Sequence, residues 1–326
     1  MIYIDTQSTD PCYNFALEEY FCTQNGQEDT VFLLWQTQPT VMLGNFQNSY
    51  KELNLQAIKR DQVHVVRRNT GGGTIYTDLG GFQFSFIMKG VTEMIDFGQY
   101  MDPIIAALAE LGIAAEYNSR NDLAIDGKKI SGNAQCTKGA YTLHHGSLLY
   151  ATDFSKMGEY LKPPAYKIKA KGIKSVRERT TNISEHLPEA WTAEEFKQRL
   201  IQSILKQGAA TYTLSTKDHQ AIEQLAQAKF RSWEWTFGKN PKFTLEKEKQ
   251  CVGGHIEISL VIEEGRITAC QMNGDFFASN GVKKLEDVLV GERFERARIK
   301  ERLLEIEIEK IIYQVSAEEL LACLFE

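Results

Sequence analysis

The cleanest hydrophobic signal in the chain is a two-residue alternation running from Phe82 to Met88. Phe82, Phe84, Phe86 and Met88 share one face, and Gln83, Ser85 and Ile87 share the other, which predicts a sheet strand with a packed side. Val31 to Trp35 is a short apolar run of the kind a buried strand shows. Gln62 to Arg67 predicts another strand, which enters the triplet Gly71-Gly72-Gly73. Further strands are expected over 122–134 and 145–151. Residues 10–22 predict a helix that Asp10 caps and Pro11 opens. Residues 100–111 predict a second helix, ended by Gly112. Two more helical stretches with polar faces cover 192–207 and 216–229.

After an aromatic cluster (Trp233, Trp235, Phe237) comes a polar break, Lys239-Asn240-Pro241-Lys242, and the pattern restarts. Ile256, Ile258 and Leu260 alternate, Asn273-Gly274 predicts a turn, and a charged helix is expected near 283–289. The chain therefore divides into a large domain, 1–240, and a small one, 245–326. The order of elements predicts an α+β architecture, not a regular βαβ repeat.

Composition narrows the class. The chain has 326 residues, 37 basic against 43 acidic ones, and 43% hydrophobic positions. Those values fit a globular protein and exclude a disordered or fibrous chain. The net charge of −6 argues against a general nucleic-acid binder. Cys12, Cys22, Cys136, Cys251, Cys270 and Cys323 form no CxxC pair, so a zinc ribbon or a redox dithiol is not expected. No secretory pattern opens the chain and no apolar run is long enough to span a bilayer. A reducing, cytoplasmic location is the expectation.

Standard nucleotide motifs are missing: there is no GxxxxGK[ST], and no GxGxxG between a strand and a helix. What stands instead is Arg67-Arg68-Asn69-Thr70-Gly71-Gly72-Gly73-Thr74-Ile75-Tyr76-Thr77-Asp78. Three glycines allow close backbone approach and can present several N–H donors in one concavity. Two arginines upstream can grip carboxylate or phosphate oxygens. A flexible hairpin with solvated arginines would also show the triplet. The flanking strands and the Thr and Tyr hydroxyls favour an anion cradle.

Asp126-Gly127 is a two-residue hairpin signal. With the turn there, Ile125 opposes Lys128, Ala124 opposes Lys129, Leu123 opposes Ile130, and Asp122 opposes Ser131. Leu123, Ile125 and Ile130 then face a core. Lys128 reaches solvent. Lys129 shares a polar face with Asp122 and Ser131, beside small Ala124. His144 and His145 are strand neighbours and point to opposite faces, so one metal cannot easily take both. Lys162 to Arg179 holds seven basic residues against Glu178, either a solvated face or a surface that steers an acidic partner. Cys136 is the cysteine nearest these motifs and the candidate nucleophile, although a lone intracellular cysteine ordinarily packs as an inert small residue.

Taken together, these motifs resemble the lipoate–protein ligase A family. Arg67-Arg68-x-Thr70-Gly71-Gly72-Gly73-Thr74-Ile75-Tyr76-x-Asp78-Leu79-Gly80 resembles its RRxSGGGxVYHDLGN signature. Arg120-Asn121-Asp122-Leu123 and Asp126 to Ala134 resemble RNDL and DGxKxSGxA. His144 to Leu149, Lys171 to Arg177, Trp233 to Phe237 and Gly274 to Phe277 are similar to HHGTLL, KGIxSVR, WEWTFG and GDFF. Thr70, Thr77, Gly81 and Ser119 depart from the usual Ser, His, Asn and Gly.

The resemblance implies a large domain with the mixed sheet of biotin and lipoate ligases and class II synthetases, followed by a small α+β accessory domain that moves between steps. It implies a ligase that activates lipoate, or octanoate, with MgATP to an acyl adenylate and pyrophosphate. The acyl group then passes to a lysine of an acceptor lipoyl domain, in a 2-oxoacid dehydrogenase complex or the glycine-cleavage H protein. By position, Lys129 is the residue expected to hold both the lipoate carboxylate and the α-phosphate. Arg68, Gly73, Thr74, Ile75, Tyr76 and Asp122 are expected at ATP, and Arg68, Gly71, Gly72, Gly73 and His145 at lipoate. Asp122 is expected to help hold Mg²⁺ or to orient Lys129. The alternatives are an octanoyltransferase working through a Cys136 thioester and a non-catalytic lipoate-binding protein.

Overall fold

The alternating segment forms a strand inside an eight-stranded mixed sheet. The structure is a computed structural model and describes residues 1–24, 26, 28–91, 95–118, 121–161, 179–206, 208–237, 245–263, 266–279, 281–294 and 296–325. Its strands are β1 (Ile2–Ile4), β2 (Val31–Trp35), β3 (Thr40–Leu43), β4 (His64–Arg67), β5 (Ile75–Thr77), β6 (Gly81–Lys89), β7 (Glu116–Tyr117), β8 (Asp122–Ile125), β9 (Lys128–Lys138), β10 (Tyr141–Leu149), β11 (Ala210–Thr211), β12 (Leu245–Cys251), β13 (Gly254–Glu263) and β14 (Arg266–Gly274). The longer helices are α1 (Pro11–Thr23), α2 (Gly98–Glu110), α3 (Ala193–Lys206), α4 (Thr216–Leu225), α5 (Val282–Leu289), α6 (Arg296–Leu304) and α7 (Ala317–Phe325).

The main sheet runs in the order β11-β1-β2-β6-β10-β9-β8-β7. Its first three strands are parallel and the others pair antiparallel. Helices cover both faces, so both are apolar. Phe82, Phe84 and Phe86 pack with Ile104 and Leu108 of α2 and Phe196 and Leu200 of α3. Ile87 and Leu33 pack on the other side with Phe15 and Phe21 of α1 and Ile222 of α4. The α1 helix opens as its sequence predicts, with the Asp10 carboxylate accepting from the Cys12 N–H at 2.9 Å. A side sheet, β4-β3-β5, carries the glycine triplet between β4 and β5.

Two local expectations need correction. The β8–β9 hairpin keeps Ile125 against Lys128 and Ala124 against Lys129, but Leu123 then pairs with Ser131 and Asp122 with Gly132. A bulge at Ile130 inserts one extra residue on β9. It leaves Leu123, Ile125 and Ile130 together in the core, as their apolar character requires. Asn273-Gly274 is not a hairpin turn either. Its residues end β14, and β13 and β14 stay paired out to Glu263 and Arg266.

Residues beyond 245 build their own core. The sheet β12-β13-β14 buries Ile256, Ile258, Leu260 and Met272 against Leu285, Leu289, Ile299, Leu303, Leu320 and Leu324 from α5, α6 and α7. The turn after β14 meets the glycine triplet. The Gly72 N–H donates to the Phe276 carbonyl at 3.0 Å, Phe276 stacks on Phe46 at 4.9 Å, and Phe277 packs on Phe97 at 5.1 Å. Residues 162–178 of the basic run, Arg120 and the polar break at 239–242 lie outside the described residues.

Candidate functional site

The triplet is held from beneath. Arg68 is buried, with Nε donating to Thr70 Oγ1 at 3.1 Å, Nη1 to the Met42 carbonyl at 3.1 Å, and Nη2 to the Gly71 and Gly73 carbonyls at 2.8 Å each. Fixing those carbonyls inward fixes the direction of the peptide units between them. A Cβ at Gly71 would come within 2.1 Å of the Phe276 carbonyl oxygen, and Gly72 sits at φ +91°. Only glycine meets both demands. Burial, with Arg67 alongside, pulls the Arg68 guanidinium down to about 10, so it stays charged at neutral pH.

Arg67 departs from expectation. It is fully buried, with Nη1 donating to the Gly44, Asn45 and Gln47 carbonyls, Nε to the Trp235 carbonyl and Nη2 to the Thr236 carbonyl. A guanidinium has five N–H groups in a fixed fork, and here the fork ties the side sheet to the 233–236 turn. Tyr76 is buried with Val41, Leu43 and Tyr160, so its ring belongs to the side-sheet core. Thr74 Oγ1 donates to Gln47 Oε1 at 2.7 Å and Ile75 is half-buried, both along the wall leading from the triplet.

Helix α1 reaches this loop with two adjacent carboxylates that sequence reading missed. Glu18 is fully buried and meets His145 Nδ1 at 3.1 Å, and the far side of that ring, Nε2, lies 2.6 Å from Thr70 Oγ1. His145 therefore stands behind the triplet, where it supports the loop. Glu19 pairs with Lys229 at 2.5 Å and with Lys138 at 3.3 Å, and Asn69 bonds to both Glu19 and Lys229. Lys229 also lies 4.0 Å over the Trp235 ring. Two successive glutamates in a largely apolar helix do not by themselves tell a buried pair from a solvated one.

Lys129 comes from the hairpin at the edge of the main sheet. Its ammonium lies 2.7 Å from Asp122 Oδ1, with the two side chains 36% and 23% exposed. A Cβ at Gly132 would sit 2.7 Å from that ammonium, so the missing side chain is what lets Lys129 fold across to Asp122. Asn121 and Asn133 clasp this corner by reciprocal bonds to each other's backbone carbonyls at 2.8 and 3.1 Å. The backbone returning after the basic run closes on it, with the Thr181 N–H donating to the Lys129 carbonyl at 3.1 Å. Beside this corner opens a polar cavity of about 380 Å³, lined by Lys128, Thr152, Asp153, Thr180, Thr181 and Asn182 among others. Lys128, expected only to reach solvent, is exposed and also lines this cavity. Asp78 ties the end of the glycine segment to it by accepting the Asp153 N–H at 3.2 Å.

The two histidines do diverge. His144 stacks on Tyr100 at 4.7 Å on the opposite face from His145, and burial holds it well below its ordinary pKa. Cys136 is buried, and burial pushes its thiol up to about 12. A nucleophilic cysteine needs the opposite, a stabilised thiolate.

The glycine loop is held by Arg68, the Lys129–Asp122 pair stands beside a polar cavity, and the C-terminal segment bonds to the loop through the Phe276 carbonyl. In fold, P. falciparum LipL1, solved in complex with lipoate, superposes with a TM-score of 0.81 over 98% of this chain and 97% of that one, at 22% identity. A lipoate-protein ligase A bound with ATP superposes at 0.59 over 73% and 97%, at 23% identity. In sequence, residues 10–205 match the lipoyl protein ligase A/B catalytic domain, and 240–324 match the bacterial lipoate protein ligase C-terminus. The lipoate-protein ligase LplJ of Bacillus subtilis is 35% identical over the full length of both chains. This chain belongs to the lipoate–protein ligase family. Among the described residues, no helix is long and apolar enough to cross a membrane.

Proposed function

We infer that the protein is an ATP-dependent lipoate–protein ligase. A lipoate carboxylate oxygen attacks the α-phosphorus of ATP and expels pyrophosphate, giving lipoyl-AMP. The acceptor lysine amine then attacks the acyl carbon and AMP leaves, so an amide forms and no nucleophile from this chain is needed. One observation carries the reading: the family match runs through the whole chain at 35% identity, in both the 10–205 and 240–324 segments. We assign catalysis to residues 1–240 and the accessory role to 245–326, in the cytoplasm.

Joining a carboxylate to a phosphate sets two anions against each other. Fixed positive charge and oriented N–H dipoles favour that approach. Lys129, oriented by Asp122, meets both anions. The Gly71–Gly73 loop, shaped by Arg68, supplies dipoles, and Gly73 to Tyr76 lead toward the cavity with their backbone. The cavity at Thr152, Asp153 and Thr180 to Asn182 takes the nucleotide. Arg68 and His145 act on the acid through the loop. Asp122 already pairs with Lys129, so Mg²⁺ would be held mainly by the phosphate oxygens of ATP, whose charge it would offset. The acceptors are lipoyl domains of 2-oxoacid dehydrogenase complexes or the glycine-cleavage H protein, with lipoate or octanoate as the acid. The test is pyrophosphate release with MgATP and lipoate, with an apo lipoyl domain added in a second tube. Lipoate-dependent release and a lipoyl mass gain on the acceptor are expected. Ligand binding without release would favour a non-catalytic binder.

A further inference from the structure

The donor order around the triplet is set at its two ends, by Arg68 and by Glu18. Arginine has only donors, so Arg68 Nε–H must donate to Thr70 Oγ1. The Glu18 carboxylate oxygens at Nδ1 only accept, so a neutral His145 carries its proton there and leaves Nε2, 2.6 Å from Thr70 Oγ1, to accept the Thr70 hydroxyl proton. The ring proton therefore sits on Nδ1 and points at Glu18, 3.1 Å from Oε1 and 3.3 Å from Oε2. Ser85 Oγ donates to the same carboxylate at 2.5 Å, and Trp35 Nε1 donates to Ser85 at 3.3 Å. Each member of the chain from Arg68 to Ser85 is buried. At one end is a buried cation whose Nη2 holds the Gly71 and Gly73 carbonyls; at the other is a buried carboxylate on α1.

We propose that Glu18 is a positioning residue for acid activation, setting the shape of the glycine loop through His145, Thr70 and Arg68. The inference rests on the ligase reading for its kinetic readout. Glu18 does two things. Its charge balances Arg68 across the relay, where a lone buried cation would be costly. Its two oxygens, both acceptors, admit only the Nδ1–H form of His145. With that tautomer fixed, the Thr70 hydroxyl has one orientation, and Arg68 has one place to stand under the loop. Buried networks of this kind specify a unique geometry only when every member is satisfied. A loop shifted by an ångström costs about 10²-fold in a reaction that depends on placement.

Glu18→Gln keeps the shape and removes the charge and one acceptor. The expected result is a fall of about 10²-fold in kcat for lipoate-dependent pyrophosphate release, with KM for ATP changed less than about 3-fold. Thr70→Val cuts the relay in its middle and should reproduce the loss, and the double variant should be no worse than either single one. A folded Glu18→Gln within about 3-fold of the parent kcat, or additive losses in the double variant, overturns the proposal. If Glu18→Gln fails to fold, Thr70→Val alone carries the kinetic test. Nitrogen-15 spectra of the parent give a readout independent of activity, in which His145 should be protonated on Nδ1. An Nε2–H ring overturns the relay whether or not the chain is active. A parent with the Nδ1–H ring and no pyrophosphate release overturns the ligase reading instead.

Discussion

Lys129→Ala separates chemistry from stability. The Lys129–Asp122 pair is 2.7 Å long, but its side chains are 36% and 23% exposed. Partly solvated pairs of this kind contribute about 0–1 kcal/mol. The midpoint of thermal unfolding should therefore move by no more than about 3 °C in a chain of this size. The reaction should suffer far more. Removing one preorganised charged donor from a developing anionic centre costs about 10²–10³-fold, or about 3–4 kcal/mol. Lys128→Ala is the comparison, because Lys128 lines the proposed nucleotide cavity from an exposed position and Gly132 opens no path for it to Asp122. Its loss should stay below about 5-fold, as expected for an exposed charge. Asp122→Asn leaves Lys129 charged but unanchored and should fall between the two. The assay is initial-rate pyrophosphate release at saturating MgATP and lipoate, beside a melting curve for each variant. Equal losses for Lys128→Ala and Lys129→Ala would refute the assignment, and so would a Lys129→Ala enzyme within about 5-fold of the parent.

Cys136→Ser should leave ATP-dependent lipoylation within about 2-fold, because a buried thiol held up near 12 offers almost no thiolate at neutral pH. Peptide mass spectrometry should find Cys136 unalkylated by iodoacetamide at pH 8 until the chain is unfolded, and loss of transfer in the serine variant would revive the thioester route. Glu19 predicts a pH effect on stability. Burial pushes its carboxyl up, but Lys229, Lys138 and Asn69 pull it down further, so it ends below its usual value of 4.5. Its ionised form thus adds stability that is complete above that value and is lost as pH falls through the lower folded one. Melting curves between about pH 6 and 3 should show Glu19→Gln losing less on acidification than the parent, and parallel curves would contradict this.

Much of the framework was legible because period and punctuation are local. Asp10 and Pro11 announced α1, and the Phe82–Met88 alternation announced β6 with its correct core face. The Asp126-Gly127 turn placed Lys129 opposite Ala124. The bulge at Ile130 was not legible, since a regular ladder also buries the same apolar residues and the slip shows only in the observed pairing. The partners of the arginines were not legible for a similar reason. Charge beside glycines reads as an anion grip, yet Arg67 and Arg68 use their forks on carbonyl groups contributed by segments as distant as Trp235 and Met42. Glu18 and Glu19 were invisible because nothing near them in sequence says that α1 lies under residues 69–70. That contact exists only in the tertiary fold.

The same long-range contacts explain how a glycine triplet with no helix start behind it is held in one conformation. A loop has no ladder to satisfy its polar groups, and buried backbone groups need partners. Arg68 takes the Gly71 and Gly73 carbonyls, and the Phe276 carbonyl takes the Gly72 N–H. The first partner belongs to the 1–240 segment and turns the carbonyl oxygens away from an incoming anion. The second belongs to the C-terminal segment and is itself an oxygen acceptor, held where a Cβ on Gly71 could not fit. One N–H aims at one acceptor well. An anion that takes the Gly72 N–H must therefore replace the Phe276 carbonyl. Phe277, packed on Phe97 in the main-sheet core, limits how far that carbonyl can yield without the C-terminal segment moving as well. On the ligase reading, an anion at the Gly72 N–H competes with the seating of the small unit, which the Phe276–Phe46 and Phe277–Phe97 contacts also hold.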